Sequence, residues 1–495
     1  MPTMEPSRRD GVTPPMPKAG QRDLTSGPIA ATLLLFALPT LGSNILQSLN
    51  GSINAIWVGR FLGESALAAT SNANLIMFLT FGAVFGFGMA ATILVGQSFG
   101  RHDIEGARRA FGTAIGLVLG GSIVVAALGY IFAPEILTLL ATPGDAFALA
   151  LTYLRVIFLG LPASMMLILM MMALRGAGDS MTPLWFMGLS VLFDSGLNPL
   201  LIEGVGPFPR MGIGGSAMST LIGNSVSVLG LTAYIHFRDL PLRLKGAELR
   251  YLIPDPALLR LILAKGVPIG AQMLVMSTAA LAMIGLVNRE GVDTAAAYGV
   301  TQQLWAYVQM PAMAIGAAVS AMAAQNIGAG RWDRVARITR SGIGANLLLT
   351  GVMVVLLTIF DRPVLALFLG GDSPALPIAR HIQLVATWGF LLFGVTMILF
   401  GTVRANGAVW GPLFILFVAM YPVRIGFAGA LLGDWQADAI WWSFPLGSLA
   451  TLIGAAAYYR WGPWRKGALT VPTTAECEDE AHVVVEPAGM LKPAG

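Results

Sequence analysis

The sequence predicts an all-α membrane protein: twelve transmembrane helices arranged as two six-helix lobes around a central cavity. Three observations predict it: an excess of apolar residues, twelve apolar runs of membrane-spanning length, and one set of landmarks that occurs twice. Hydrophobic residues make up 56 % of the 495-residue chain, charged residues only 11 %, and the mean hydropathy is +0.73. A water-soluble domain carries about a quarter charged residues. This chain has too little polar surface to be solvated on every side, and lipid is the environment that accepts the excess.

A hydrocarbon layer about 30 Å thick needs roughly 20 apolar residues of helix. Runs of that kind fall at 28–58, 66–96, 110–133, 146–174, 183–203 and 212–237, then at 258–287, 294–325, 340–360, 380–403, 410–432 and 438–459. The first two runs of each half exceed the minimum, which predicts tilt or bending. Asn44, Gln47, Asn50, Ser52 and Asn54 in the first run are too polar to face hydrocarbon and belong on a protein interior or a water-filled cavity. The segment Met1–Arg22 has basic residues but no apolar core, so it lacks the form of a cleavable signal peptide. The single cysteine, Cys477, leaves no intrachain disulfide.

Twelve spans place both termini on one side. The termini and loops of that side hold 23 of the 30 Lys and Arg, and the opposite loops hold 5 (Arg60, Arg210, Arg289, Arg362 and Arg380). That asymmetry predicts cytoplasmic termini and a multi-pass inner-membrane location. Arg155 and Arg424 fall inside spans and are read as snorkelling toward an interface. The basic loop 238–257 suits anionic lipid headgroups, and nothing points to nucleic acid. The predicted organisation is an N-terminal segment 1–25, a first lobe 26–237, that loop, a second lobe 258–460 and a disordered tail 461–495.

The repeat is the sharpest feature. Arg175, Gly178 and Pro183 recur as Arg404, Gly407 and Pro412, and Pro39 recurs as Pro268, each 229 residues on. Gln97-Ser98-Phe99-Gly100 recurs as Gln325-Asn326-Ile327-Gly328 at a spacing of 228. Landmarks through several regions at one spacing mark a duplication. Units of six spans share one orientation and are related by an axis along the membrane normal, with a cavity between them. This is the geometry of alternating access and predicts a secondary transporter rather than a channel or scaffold. No phosphate-binding Gly-x-x-x-x-Gly-Lys-Ser/Thr loop is present, so an ion or substrate gradient must supply the energy. No nucleophile, base or metal-ligand spacing suggests an enzyme, and no cofactor is called for; the four histidines do not cluster in sequence.

Leu38-Pro39 through Val58-Gly59-Arg60, Gly96 to Gly100, Leu174 to Asp179 with Thr182-Pro183, Asn198-Pro199, Gly266-Val267-Pro268 and Gln325 to Gly328 together resemble the multidrug and toxic compound extrusion (MATE) family. The resemblance covers 28–460 and looks most like the bacterial branches, including those related to the DNA-damage-inducible F proteins. It implies two lobes in a V with a central cleft, a monomeric transport unit, and efflux of amphipathic, often cationic, drugs or metabolites. It also implies exchange for protons, with sodium as the alternative ion. A flippase of lipid-linked precursors is the alternative activity on the same scaffold.

Asp194 is the clearest acid inside an apolar span. An Asp near a helix centre costs roughly 2.5–3.5 kcal/mol on insertion scales, which is tolerated when the group lines a cavity, finds partners or exchanges a proton. It is the leading candidate for ion coupling, against a structural hydrogen-bonded role. Asn198, four residues on, shares its helix face. The family pattern puts an amide and a carboxylate in this helix, and here the two are exchanged. Asn54 stands where the family often has an acid; it can coordinate an ion or bind substrate but cannot exchange a proton. The family's second-lobe carboxylates have no counterpart, since 266–286 and 381–403 contain none, so coupling centres on Asp194. Pro39, Pro199 and Pro268 are candidate helix bends. Tyr298, Gln302, Gln303 and Trp305, with Tyr307 nearby, mix aromatic surface and amides and are candidate substrate-lining residues, against ordinary packing. Met165, Met166, Met170, Met171 and Met172 offer an adaptable apolar wall or plain packing. Arg175 and Arg404 are read as topology and interlobe anchors, and Asp103, Glu105, Asp179, Asp239 and Asp333 as solvated loop acids.

Overall fold

Every element of the computed structural model is helical, and residues 22–139 and 144–466 are described. The chain before residue 22 and beyond residue 466, with Cys477, lies outside the described residues. The first half comprises α1 (Ile29–Leu62), α2 (Glu64–Gly100), α3 (Ile104–Ile131), the short α4 (Ala133–Leu139), α5 (Gly144–Gly176), α6 (Met181–Glu203) and α7 (Ile213–Phe237). The second half comprises α8 (Pro256–Val287), α9 (Val292–Gly328), α10 (Trp332–Ile359), the short α11 (Asp361–Leu369), α12 (Ala375–Ala386), α13 (Gly389–Ala405) and α14 (Trp410–Val418). A π-helical segment at Ala419–Ile425, then α15 (Gly426–Trp435) and α16 (Ala437–Trp461), complete it. Among the described residues, eleven helical stretches are long and apolar enough to cross a membrane, and α12 with α13, bent by 44°, pass the same test together, for up to twelve.

The duplication extends to element lengths. α2 and α9 each have 37 residues, α3 and α10 each 28, and α7 and α16 each 25. The halves differ where α5 runs unbroken but its counterpart splits into α12 and α13. They differ again where α6 is regular but its counterpart contains the π-helical segment around Pro422. Proline lacks the N–H that an α-helix needs in its interior, and a π-turn is one local answer.

The halves meet at the end that carries the basic loops. Gly86 of α2 lies so close to α8 that a Cβ there would sit 2.2 Å from the Gly266 carbonyl oxygen. The repeated Gln-x-x-Gly motifs interlock: a Cβ on Gly100 would meet the Gln325 carbonyl, and one on Gly328 the Gln97 carbonyl. Gln97 Nε2 donates to the Ala405 carbonyl at 2.6 Å, and Gln325 Nε2 donates to the Gly176 carbonyl at 2.9 Å. Each half thus satisfies a helix-terminal carbonyl of the other. The segment 22–27 threads across this seal: Asn326 Nδ2 donates to the Leu24 carbonyl at 2.9 Å and Arg331 to that of Thr25 at 2.6 Å.

Two loop acids expected to be solvated are helix caps instead. Asp179 is buried, and its Oδ1 accepts from the Met181 and Thr182 backbone N–H at 3.0 and 2.9 Å, starting α6. Asp103 Oδ1 accepts from Gly106 N–H at 2.8 Å and starts α3. The basic loop docks on α3 through Arg108–Glu248 at 2.7 Å and Arg109–Asp255 at 2.6 Å.

Candidate functional site

In the first lobe, three helices converge on one carboxylate. Asp194, on α6, is 1 % exposed. Its Oδ2 accepts from Asn50 Nδ2 at 2.7 Å and Asn54 Nδ2 at 3.0 Å, both on α1. Its Oδ1 accepts from Ser219 Oγ on α7 at 2.7 Å, and Thr220 Oγ1 donates to either oxygen at 3.1 Å. Asn198, fully buried one turn on, donates through Nδ2 to Asn54 Oδ1 at 2.7 Å and to Ser216 Oγ at 3.3 Å. Its own Oδ1 has no partner among the described residues. The three residues singled out for ion coupling, Asp194, Asn198 and Asn54, therefore form one network.

Every donor to Asp194 is neutral, and among the described residues no cationic side chain pairs with it. Charge-assisted hydrogen bonds of this kind are each worth about 1.5–3 kcal/mol, enough together to hold an ion away from water. The close fit depends on Gly223 of α7, where a Cβ would come within 3.1 Å of the Asp194 nitrogen. Pro199 follows in the same helix. It has no N–H, so the Ser195 carbonyl one turn back loses its regular partner.

α1 links this network to the lobe interface. Its outer half carries Asn50 and Asn54. Its inner half buries Leu33, Phe36 and Ala37 against Ile315, Ala318 and Met322 of α9 in the other lobe. Pro39 lies between the two halves of the helix, and Pro268 occupies the matching place in α8, beside its crossing with α2.

Two cavities matter. One, about 130 Å³, lies between the lobes, with Thr40 and Asn44 of α1, Met89, Met172, Met313 and Met397 on its walls. Arg175 and Arg404, the repeated arginines, face into it from the two halves, and the Nε of each lacks an acceptor. Of the methionine run, only Met172 reaches this wall, while Met165, Met166, Met170 and Met171 pack inside the first lobe. The other cavity, about 290 Å³, is inside the second lobe. Tyr298, Gln302 and Trp305 line it, together with Phe390, Phe444 and Arg424. Gln303 is exposed on another face of α9 and is not on this wall. Arg424 does not snorkel outward: its guanidinium carbon stands 3.7 Å over the Phe444 ring. Arg155 stacks over Tyr130 at 5.2 Å.

Reading the spans alone missed the hydroxyl face of α7. Ser216, Ser219 and Thr220, with Gly223 one turn on, sit at helical spacing, and that stripe of small and polar residues was its signal. It also missed the inward turn of Arg424.

Two six-span halves around an interlobe cavity, with a buried carboxylate held by polar side chains inside a span, make this a polytopic transporter scaffold. The MatE family model matches residues 39–200 and again 268–428, one match in each half. The chain is 35 % identical to the probable multidrug resistance protein YoeA of Bacillus subtilis, across 89 % of this chain and 95 % of that one. It is 31 % identical to the probable multidrug resistance protein YpnP of the same organism, across 90 % and 97 %. The chain belongs to the MATE family. Its fold superposes with a TM-score of 0.81, at 20 % identity, on an outward-facing multidrug resistance MATE family transporter, covering 91 % of this chain and 98 % of that one. None of these names places it in the branch related to the DNA-damage-inducible F proteins.

Proposed function

We propose that this protein exports amphipathic drugs or metabolites by alternating access, in exchange for protons taken up at Asp194. In this reading the lobes are 26–237 and 258–460, and the basic end, with both termini, faces the cytoplasm. The probable multidrug resistance names of the two Bacillus subtilis relatives support the substrate class.

One observation carries the choice of a proton. The hydroxyls of Ser219 and Thr220 each have a second acceptor, the Ser216 carbonyl, at 2.8 and 3.3 Å. When the carboxylate takes a proton, both can rotate their hydrogens to that carbonyl, so the switch strands neither donor. Neutralising Asp194 also weakens the charge-assisted bonds from Asn50 and Asn54, which tie the outer half of α1 to α6. The inner half of α1 stays packed on α9. Relaxation between them falls at Pro39, next to Thr40 on the interlobe cavity wall. Protonation is thereby converted into a change in how α1 bridges the lobes.

Sodium is the second reading. The unpartnered Asn198 Oδ1 is a buried oxygen that a cation would satisfy, but Asn50 and Asn54 would have to turn their oxygens inward to complete a shell. Transport into vesicles with separately imposed pH and sodium gradients tests the choice. Dye movement that follows the pH gradient and vanishes in D194N is the expected result. Movement that follows only sodium selects the second reading, and translocation of lipid-linked precursors without dye movement overturns the exporter assignment.

A further inference from the structure

The pocket in the second lobe carries a charge opposite to that of its counterpart in the first. α7 and α16 align at a spacing of 224, which puts Gly447 opposite Gly223 and Phe444 opposite Thr220. α6 and the span that begins at Trp410 align at 229 through Pro183 and Pro412. The π-helical segment, in which one residue is added to a turn, advances that register by one. Position 424 then stands opposite position 194, an arginine in place of the aspartate.

The neighbours confirm the correspondence. A Cβ on Gly223 would crowd Asp194, and a Cβ on Gly447 would lie 3.1 Å from Arg424 Cβ and 3.3 Å from its Cδ. Thr220 meets Asp194 with a hydroxyl, and Phe444 meets Arg424 with a ring face. Each half has the same device, a glycine on its last span that admits a charged side chain from the span just before it.

The difference lies in how the charge is satisfied. Asp194 has four donors. Arg424 has one long contact, from Nη1 to Met420 Sδ at 3.7 Å, and its Nε has no acceptor. No carboxylate lines the pocket. A guanidinium packed on an aromatic face, with one long sulfur contact and no carboxylate on its pocket wall, lacks an anion to offset its desolvation. The edge formed by Nη2 and Nε, whose Nε is buried without an acceptor among the described residues, is the one that receives a carboxylate or phosphate through two parallel bonds once the side chain turns it to the pocket. Around it the walls are flat and fixed. Trp305 packs against Phe390 and Phe444 with ring centroids 5.3 and 5.0 Å away, and its Nε1 donates to Gln383 and Thr387 at 3.1 and 2.9 Å. Tyr298 Oη and the side chains of Gln302 and Gln309 supply the remaining polar points. The interlobe cavity repeats the sign of this charge, with Arg175 and Arg404 and no acid on its wall.

We infer that the second-lobe pocket is a binding site for planar aromatic anions, recognised by the Arg424 guanidinium and laid against the aromatic wall that Trp305, Phe390 and Phe444 form. This deepens the exporter reading and rests on it, and it reverses the cationic preference that the family resemblance implies.

The test is binding of two xanthene dyes of opposite charge, anionic fluorescein and cationic rhodamine 6G, to the purified full-length protein in lipid nanodiscs, followed by fluorescence anisotropy. The expected result is tighter binding of fluorescein, weakened at least about tenfold in R424Q and less in R424K, which keeps the charge but loses the planar edge. G447V, which pushes the arginine stem aside, and F444L, which removes the stack while keeping an apolar side chain, should each weaken it as well. Equal or tighter binding of rhodamine 6G to the unaltered protein would overturn the inference, as would full fluorescein affinity in R424Q, or in F444L together with G447V. The assay imposes no ion gradient. Loss of gradient-driven efflux in D194N is read in a separate experiment, so failure of the coupling mechanism and failure of the anion site give different results.

Discussion

The polar core of the first lobe and the aromatic pocket of the second occupy matching places in a duplicated framework, yet they handle charge in opposite ways. In the first, an acid is saturated by four neutral donors drawn from two neighbouring helices. In the second, a base is left with an aromatic face and a buried Nε that has no acceptor among the described residues. A saturated charge holds helices together and responds when a proton removes it. An unsaturated one waits for a partner. The comparison teaches that duplication supplied two equivalent positions and that side-chain chemistry gave them opposite charges, which in the proposed reading serve coupling in one half and recognition in the other.

The comparison breaks most decisively at Asp194. D194N puts an amide NH2 or a neutral oxygen where the ion was, so the bonds from Asn50 and Asn54 lose their charge assistance and no proton can be exchanged. Gradient-driven efflux is expected to fall to the level of protein-free vesicles while the protein still inserts and remains monodisperse. Undiminished efflux would show that the carboxylate is only structural. The glycines give the next largest effect. G223V forces a branched side chain against the Ser190 carbonyl and the Asp194 backbone, 2.8 and 3.1 Å from its Cβ. Overpacking of this kind costs about 1–3 kcal/mol, and a lower thermal unfolding temperature together with impaired efflux is expected. G447V meets the stem of a long side chain with room to shift, so its cost in stability should be smaller. Equal costs would argue that the two glycines are not doing the same job.

How much of this was legible beforehand follows from the kind of physics each feature obeys. The spans could be read because hydrocarbon demands long apolar runs, and the duplication because landmarks such as Arg175 and Arg404 kept their spacing. Asp194 stood out because an acid in such a run needs a reason. Its four donors did not, since Asn, Ser and Thr are common in spans and only the fold shows which of them converge. Arg424 was misread for a geometric cause: the sequence spacing of 229 sets Val423 opposite Asp194, and only the π-helical segment turns the next residue inward. The partners of Gln97 and Gln325 were invisible because they are backbone carbonyls, which every residue has.

Those glutamines sharpen the comparison at the seal, where the two halves act alike. Q97L and Q325L each leave a buried carbonyl of the other half unsatisfied, worth about 1–3 kcal/mol, and Q325L also strands the Leu24 N–H that donates to Gln325 Oε1 at 3.3 Å. Each should favour the conformation open at the basic end. With Cys477 replaced by Ser, a cysteine introduced at Ser320 on the interlobe cavity wall would report this by faster alkylation from that side. Both variants should give increases, Q325L the larger because it also loses the Leu24 bond, and the double variant more than either. A response to only one of them would mean that the seal is not shared between the repeats.

The smallest expected effect separates holding a charge from switching it. T220V keeps the size of the side chain and removes one of the four donors to Asp194. It also removes one of the two hydroxyls that can turn to the Ser216 carbonyl. Asn50, Asn54 and Ser219 still hold the ion, so the protein should insert normally. A hydrogen bond is worth about 1 kcal/mol, so proton-driven efflux should fall roughly fivefold. S219A, which removes the shorter bond at 2.7 Å, should cost somewhat more. With both hydroxyls gone, the carboxylate keeps its amide partners but loses its rotatable donors. Efflux in that double variant should then fall further than its unfolding temperature does. If stability and transport decline in parallel instead, the hydroxyls serve only to hold α7 against α6, and the proton exchange at Asp194 must be organised by the α1 amides.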